Sequence, residues 1–192
     1  MESTTAKTIF LFGRPGSGKG TQAKLLADKL GWSVFSTGDK FKALRDEASA
    51  IGGRVRETYD AGGLIPDWFP SYLFEETMLG LSHGDGVVCE GFPRTVGQAE
   101  LTNQVLTWLS RPYAVLHLDV KEEEALNRML ERAKSEDRPD SNDEAKIRAR
   151  FDTYRAQTEP VLDFFRTNGK LIEINGEQSR EAILEDILKA IA

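Results

Sequence analysis

The chain has 192 residues, 40% hydrophobic and 29% charged, with 25 basic against 31 acidic side chains and a formal charge of -6. That size and mixture suit one soluble globular domain with a substantial core, while the acidic balance argues against a broad nucleic-acid or anionic-membrane surface. Its one cysteine, Cys89, excludes an internal disulfide and a four-cysteine zinc site, and no apolar stretch approaches the ~20 residues that span a bilayer.

The first residues, "MESTTAK", lead straight into a predicted strand, so no signal peptide is read and a cytoplasmic location is expected. Strand candidates in chain order are "TIFLF" (8–12), "SVFS" (33–36), "GVVCE" (86–90), "AVLHLDV" (114–120) and "LIEIN" (171–175). They are short, mostly apolar and rich in β-branched residues, as strands covered on both faces are. Helical period predicts helices over 18–30, 39–48, 52–61, 67–81, 95–109, 121–133, 143–167 and 179–191. The alternation predicts an α/β domain built on a five-stranded parallel sheet with helices on both faces. Pro160 should bend or divide the seventh helix, because it lacks an N–H and crowds the preceding turn. About fifty residues separate the second and third strands, more than one crossover helix needs, with Gly52-Gly53 and Gly62-Gly63 as punctuation. This reads as a small helical insertion. "SEDRPDSN" (135–142) is a second, charged break.

The stretch "GRPGSGKGT" (13–21) follows the first strand. Glycines at 13, 16, 18 and 20 allow tight turning and let backbone N–H groups approach an anion. Lys19 adds charge, and the helix that begins beside it directs its positive end to the same place. A strand before, a helix after and an interior lysine outweigh the alternative of a ligand-free glycine turn. One feature stands apart: a P-loop carries a hydroxyl directly after its lysine to hold Mg²⁺, whereas here Gly20 follows and Thr21 comes one position late.

In full, "GRPGSGKGT" resembles the phosphate loop of nucleoside monophosphate kinases, adenylate kinases in particular; "STGD" (36–39) resembles that family's segment after the second strand and "GFPRTVGQAE" (91–100) its segment after the third, in the same order and spacing. Weaker similarity runs through "AGGLIPD" (61–67), Arg128, Arg132 and "TYRAQTEPVLDFF" (153–165), so that it covers nearly the whole chain. The resemblance implies the reaction ATP + AMP ⇌ 2 ADP with Mg²⁺, in a monomer that needs neither nucleic acid nor membrane. It also implies a monophosphate-binding insertion over about 36–65 and a lid over about 132–143, too short and cysteine-poor for structural zinc.

Phosphoryl transfer asks a protein to align two nucleotides, neutralise charge and exclude water, and planar guanidinium groups suit that task. By resemblance Lys19, Arg94, Arg128, Arg132, Arg138 and Arg150 are the catalytic cations, with Arg148 a substitute should the alignment slip. Gly13, Pro15, Gly16, Ser17, Gly18, Lys19, Gly20 and Thr21, together with Arg128, would hold ATP. Thr37, Gly38, Lys42, Arg45, Leu64, Ile65, Gly91, Arg94 and Gln98 would hold AMP, Gln98 reading the adenine edge with help from Thr37. Asp39 and Glu90 would approach the metal through water. Ser36 with Asp39 and Thr95 with Gln98 also have capping-box spacing, and the two roles are compatible.

Three positions depart from the family pattern. Lys42 stands where an arginine grips the AMP phosphate, Glu90 where an aspartate ends the third strand, and Ser141 where the lid has a second aspartate. Arg45, one turn beyond Lys42, is a candidate to compensate. His83 and His117 do not look catalytic, and Trp32, Trp68 and Trp108 read as packing residues. Two rival readings stay open: a kinase for UMP, CMP or another monophosphate, and a nucleotide sensor without turnover. A GTPase switch lacks its N-K-x-D motif.

Overall fold

The computed structural model describes residues 5–60, 64–134 and 143–192. In chain order the elements are β1 (Thr8–Phe12), α1 (Lys19–Leu30), β2 (Ser33–Ser36), α2 (Thr37–Arg45), α3 (Ala50–Asp60) and α4 (Trp68–Gly80). There follow β3 (Val87–Glu90), α5 (Val96–Trp108), β4 (Tyr113–Asp119), α6 (Glu122–Ala133), α7 (Glu144–Thr153), α8 (Glu159–Thr167), β5 (Leu171–Asn175) and α9 (Arg180–Ile191). The five strands form one parallel sheet in the order β2-β3-β1-β4-β5. Three of the strands start and end where the sequence reading put them; β3 and β4 differ by one residue.

Side chains alternate across each strand, so β1 feeds two cores. Phe10 and Phe12 join Phe35, Phe74, Phe92 and Phe165 on one face. Ile9 and Leu11 join Val88, Leu116 and Leu118 on the other, covered by Leu26 of α1 and Ile183 and Ile187 of α9. Two smaller clusters are separate from these cores. Phe41, Val55, Ile65 and Phe69 tie α2 and α3 to the start of α4; Ala125, Met129, Ile147 and Phe151 tie α6 to α7. The helical insertion of the sequence reading therefore leans on α4 for part of its own core.

The long seventh helix is divided, but not by a sharp break. Between α7 and α8 the chain keeps right-handed helical turns and widens to a π-helix over Tyr154–Thr158, which leaves Pro160 in the first turn of α8. There its missing N–H costs nothing. Four of the described helices begin on side-chain caps, and at α2 and α5 Ser36 accepts from the Asp39 N–H at 3.1 Å and Thr95 from the Gln98 N–H at 3.4 Å. The first cap starts α2 at Thr37, earlier than the periodicity suggested. The three tryptophans differ: Trp32 is partly buried against the core, Trp68 is 66% exposed with its ring against Phe69, and Trp108 is 80% exposed and does not pack as expected.

Candidate active site

In a doubly wound parallel sheet, ligands bind beyond the carboxyl ends of the strands, where the strand order reverses. β1 ends there at Phe12, and the phosphate loop follows. Gly13, Gly16 and Gly18 all have positive φ. At Gly16, with φ at 87°, a Cβ would lie 2.3 Å from the Ala125 carbonyl oxygen, so only glycine lets the loop lie this close to α6. The Ser17 N–H donates to the Arg14 carbonyl at 3.0 Å, closing the turn. Gly18 then stands at the N-cap of α1 and offers no side chain to its first amides. Those amides face a cleft, an arrangement suited to an anion. Gly20 is not part of the turn. It lies in the first turn of α1, where a Cβ would meet nothing.

The cleft has a volume of about 1050 Å³, and loop residues 15–21 form one wall. Arg94 from the turn before α5, Arg128 and Arg132 from α6 and Arg150 from α7 come to it, with Lys19 among them. Burial pulls the Lys19 ammonium down to about 8; Glu90 opposes the shift, and Arg94, Arg150 and Arg132 add to it. An acidic chain thus concentrates positive charge at one place, and a phosphate entering there restores the proton affinity of Lys19. Two of these arginines are held by backbone carbonyls: Arg94 Nε donates to Gly91 at 2.7 Å and Arg128 Nη1 to Gly176 at 3.1 Å. Arg128 also pairs with Glu124 at 2.7 Å, one turn back on α6.

From the other side, Gly38, Asp39 and Lys42 of α2 line the same cleft, and so does Glu90 at the end of β3. The Ser36 hydroxyl donates to the Glu90 carboxylate. Asp39 lies 3.9 Å from Lys24. Among the described residues no group of three His, Cys, Asp or Glu side chains is placed to hold a metal directly. Asp39 and Glu90 are carboxylates of the kind that would suit a cation carried by nucleotide phosphates and reached through water. A smaller cavity of about 60 Å³ lies between the loop and the π-helix, bounded by Gly13, Leu64, Gly91 and Tyr154 among others.

Some residues singled out from sequence do not line either space. Arg45 is turned away: Nε and Nη2 donate to the two Asp60 carboxylate oxygens at 2.7 and 3.3 Å, and Nη1 to Asp46 at 2.9 Å. Ile65 is buried in the α2–α4 cluster. Thr37 is buried and donates to the Gly91 carbonyl at 2.8 Å. Gln98 is buried in the first turn of α5. Arg138 and Ser141 lie outside the described residues. Conversely, Tyr59, Gln22, Asn127 and the turn Gln178–Arg180 line the large cleft and were not anticipated. The last of these was open to inference, because every strand-to-helix turn at that end of a parallel sheet borders the crevice. Nothing in the sequence marks Tyr59.

A family model described as Adenylate kinase matches residues 11–170. The chain belongs to the adenylate kinase family. It is 38% identical over 186 residues to an adenylate kinase of Leptospira biflexa, covering 96% of this chain and all of that one. It is 38% identical over 184 residues to an adenylate kinase of Bacteroides fragilis and 37% over 184 to one of Maricaulis maris, each match covering 95% of this chain and 97% of the relative. Glycine loop, cation-lined cleft and family agree.

Proposed function

We propose that this adenylate kinase family member catalyses ATP + AMP ⇌ 2 ADP in the large cleft. One observation carries the reading. Lys19 and four arginines line a space into which an uncapped helix N-terminus points, as transfer from a nucleoside triphosphate to a monophosphate demands. In this reading Lys19, Gly13, the amides of residues 15–21 and Arg128 hold ATP. Arg132, Arg150 and Arg138 neutralise the transferring group. Arg94 and Lys42 hold the AMP phosphate, Gly38, Leu64 and Gly91 shape its pocket, and Gln98 reads the base once AMP is bound. Residues 36–65 act as the monophosphate-binding insertion and 132–143 as a short lid.

Mg²⁺ bound to the ATP phosphates would supply charge neutralisation across the bond being broken. Asp39 and Glu90 would orient its water shell, and this removes the need for a hydroxyl at Gly20. Glu90 also accepts from Ser36, which ties that carboxylate to the start of α2. Among the described residues no helix is long and apolar enough to cross a membrane. A monomer in the cytoplasm, acting on ATP and AMP alone, is the simplest setting for this reaction.

A coupled assay that offers AMP, UMP, CMP and GMP in turn with Mg·ATP tests the assignment. The AMP rate should exceed the others by at least about tenfold. A faster UMP rate would move the protein to a pyrimidine kinase, and tight binding of a linked ATP–AMP mimic without ADP formation would make it a sensor.

A further inference from the structure

We infer that Asp67 locks the Gln98 carboxamide in one orientation and thereby sets which purine the monophosphate site accepts. This rests on the reading of Gln98 as the base-reading group.

Asp67 stands at the N-cap of α4, where a carboxylate normally caps its own helix. It makes no such bond. Its carboxylate reaches instead to the start of α5, thirty-one residues on: Oδ1 accepts from Gln98 Nε2 at 3.0 Å and Oδ2 from the Thr95 hydroxyl at 2.6 Å. On the other side, Gln98 Oε1 accepts from the Arg94 N–H at 2.7 Å. Gln98 is 3% exposed.

These partners decide which end of the amide is which. A carboxylate can only accept and a backbone N–H can only donate, so the amide nitrogen must face Asp67 and its oxygen must face Arg94. Turning the group over would set oxygen against oxygen and N–H against N–H in a buried place, losing both bonds. The lock fixes where the second N–H and the second oxygen lone pair of the carboxamide lie, and on the reading of Gln98 as the base-reading group these are what the base meets once AMP is bound. Adenine presents an acceptor at N1 beside a donor at N6. A 6-oxopurine presents the reverse, an acceptor at O6 beside a donor at N1. A carboxamide free to turn over can satisfy either edge; a locked one satisfies only one. Asp67 is thus a positioning residue for base selectivity, acting through Gln98, and the Arg94 N–H joins the same network to the phosphate side of the cleft.

Asp67→Asn keeps the shape and a bond to Thr95 but supplies a partner that can either donate or accept. The expected result is a kcat/KM ratio for AMP over IMP that falls about tenfold, through KM for AMP more than kcat, with KM for ATP unchanged. An unchanged ratio, or equal rises in KM for AMP and ATP, overturns the lock. Gln98→Ala separates the two claims. If it abolishes selectivity while Asp67→Asn does not, only the lock fails. If it leaves selectivity intact, the base-reading role of Gln98 fails and the inference with it. Should Asp67→Asn not fold, the unmutated protein still gives an answer by NMR. The locked Gln98 carboxamide protons should exchange with solvent far more slowly than a free carboxamide; exchange at the free rate overturns the lock.

Discussion

The phosphate loop and the α2–α3 excursion border the same cleft, yet they are held there by different means. The loop is fixed by backbone. Gly13 and Gly16 take conformations closed to other residues, Gly16 touches the Ala125 carbonyl, and the strand before and helix after are rooted in the main cores. The excursion is fixed by side chains: a cluster of four buried residues, at roughly 1.5–3 kcal/mol each when fully buried, and the Arg45–Asp60 pair. A region held by backbone geometry cannot be adjusted in small steps. A region held by a few side chains can shift its position, and with it the affinity for one ligand, while the other ligand's site stays as it is. Damage to the loop should therefore affect everything, and damage to the excursion chiefly the monophosphate.

Gly16→Ala should have the largest effect. Its φ is 87° and the added Cβ would sit 2.3 Å from a carbonyl oxygen. A loss of stability on the order of 2 kcal/mol is expected, with kcat/KM for ATP reduced at least about a hundredfold. Thermal melts and steady-state rates check this. An active, stable Gly16→Ala would mean that the loop yields as readily as the excursion, and the contrast would collapse.

Glu90 stands where the two regions meet, bonded to Ser36 and acting electrostatically on Lys19. Removing only its charge tests whether it serves the metal's water shell. Glu90→Gln is expected to lower Mg²⁺-dependent turnover ~10–100-fold, the range for groups that orient metal ligands, while Glu90→Asp stays within a few-fold. Titrating Mg²⁺ at fixed ATP distinguishes this from misfolding, since a water-shell defect raises the metal requirement. Indifference to both substitutions removes Glu90 from the metal's surroundings and leaves it as the anchor of Ser36.

Lys42 belongs to the excursion alone. It lines the cleft from α2 and carries a single-point charge where a two-pronged one would be stronger. Lys42→Ala should raise KM for AMP about tenfold and leave KM for ATP within about twofold. Lys42→Arg should lower KM for AMP. Equal effects on both nucleotides would show that the excursion and the loop act as one body.

Much of this was legible in the sequence because it depends on local rules. The inner strands β1 and β3 are short apolar runs buried on both faces, and the loop's spacing dictates its own geometry. What escaped depended on contacts distant in sequence. Gln98 was read as a base-reading residue, but its bond to Asp67 spans thirty-one positions and leaves no periodic trace. Trp108 was expected to pack because tryptophans usually do, yet nothing covers the end of α5. Pro160 was expected to bend or divide its helix, and the helix is divided; what the sequence did not show is that it widens to a π-turn before the proline.

Arg45 gives the smallest predicted effect and the finest test of the contrast. One turn beyond Lys42, it looked from sequence like a second hand on the AMP phosphate. Its guanidinium is instead spread over Asp60 and Asp46, and hydrogen bonding to Asp60 holds its pKa above the ordinary arginine value. In that position it closes α2 against the end of α3. Partly exposed pairs of this kind contribute about 0.5 kcal/mol. Arg45→Ala should therefore lower the melting temperature slightly and leave both nucleotide KM values unchanged. Asp60→Asn should match it in stability, and the double substitution should cost less than the two singles added, because one interaction is being removed twice. If Arg45→Ala instead raises KM for AMP while Asp60→Asn does not, the side chain leaves Asp60 when the nucleotide arrives. The excursion would then rearrange its own clasp on binding AMP, and the mobility assigned to it here would reach down to a single ion pair.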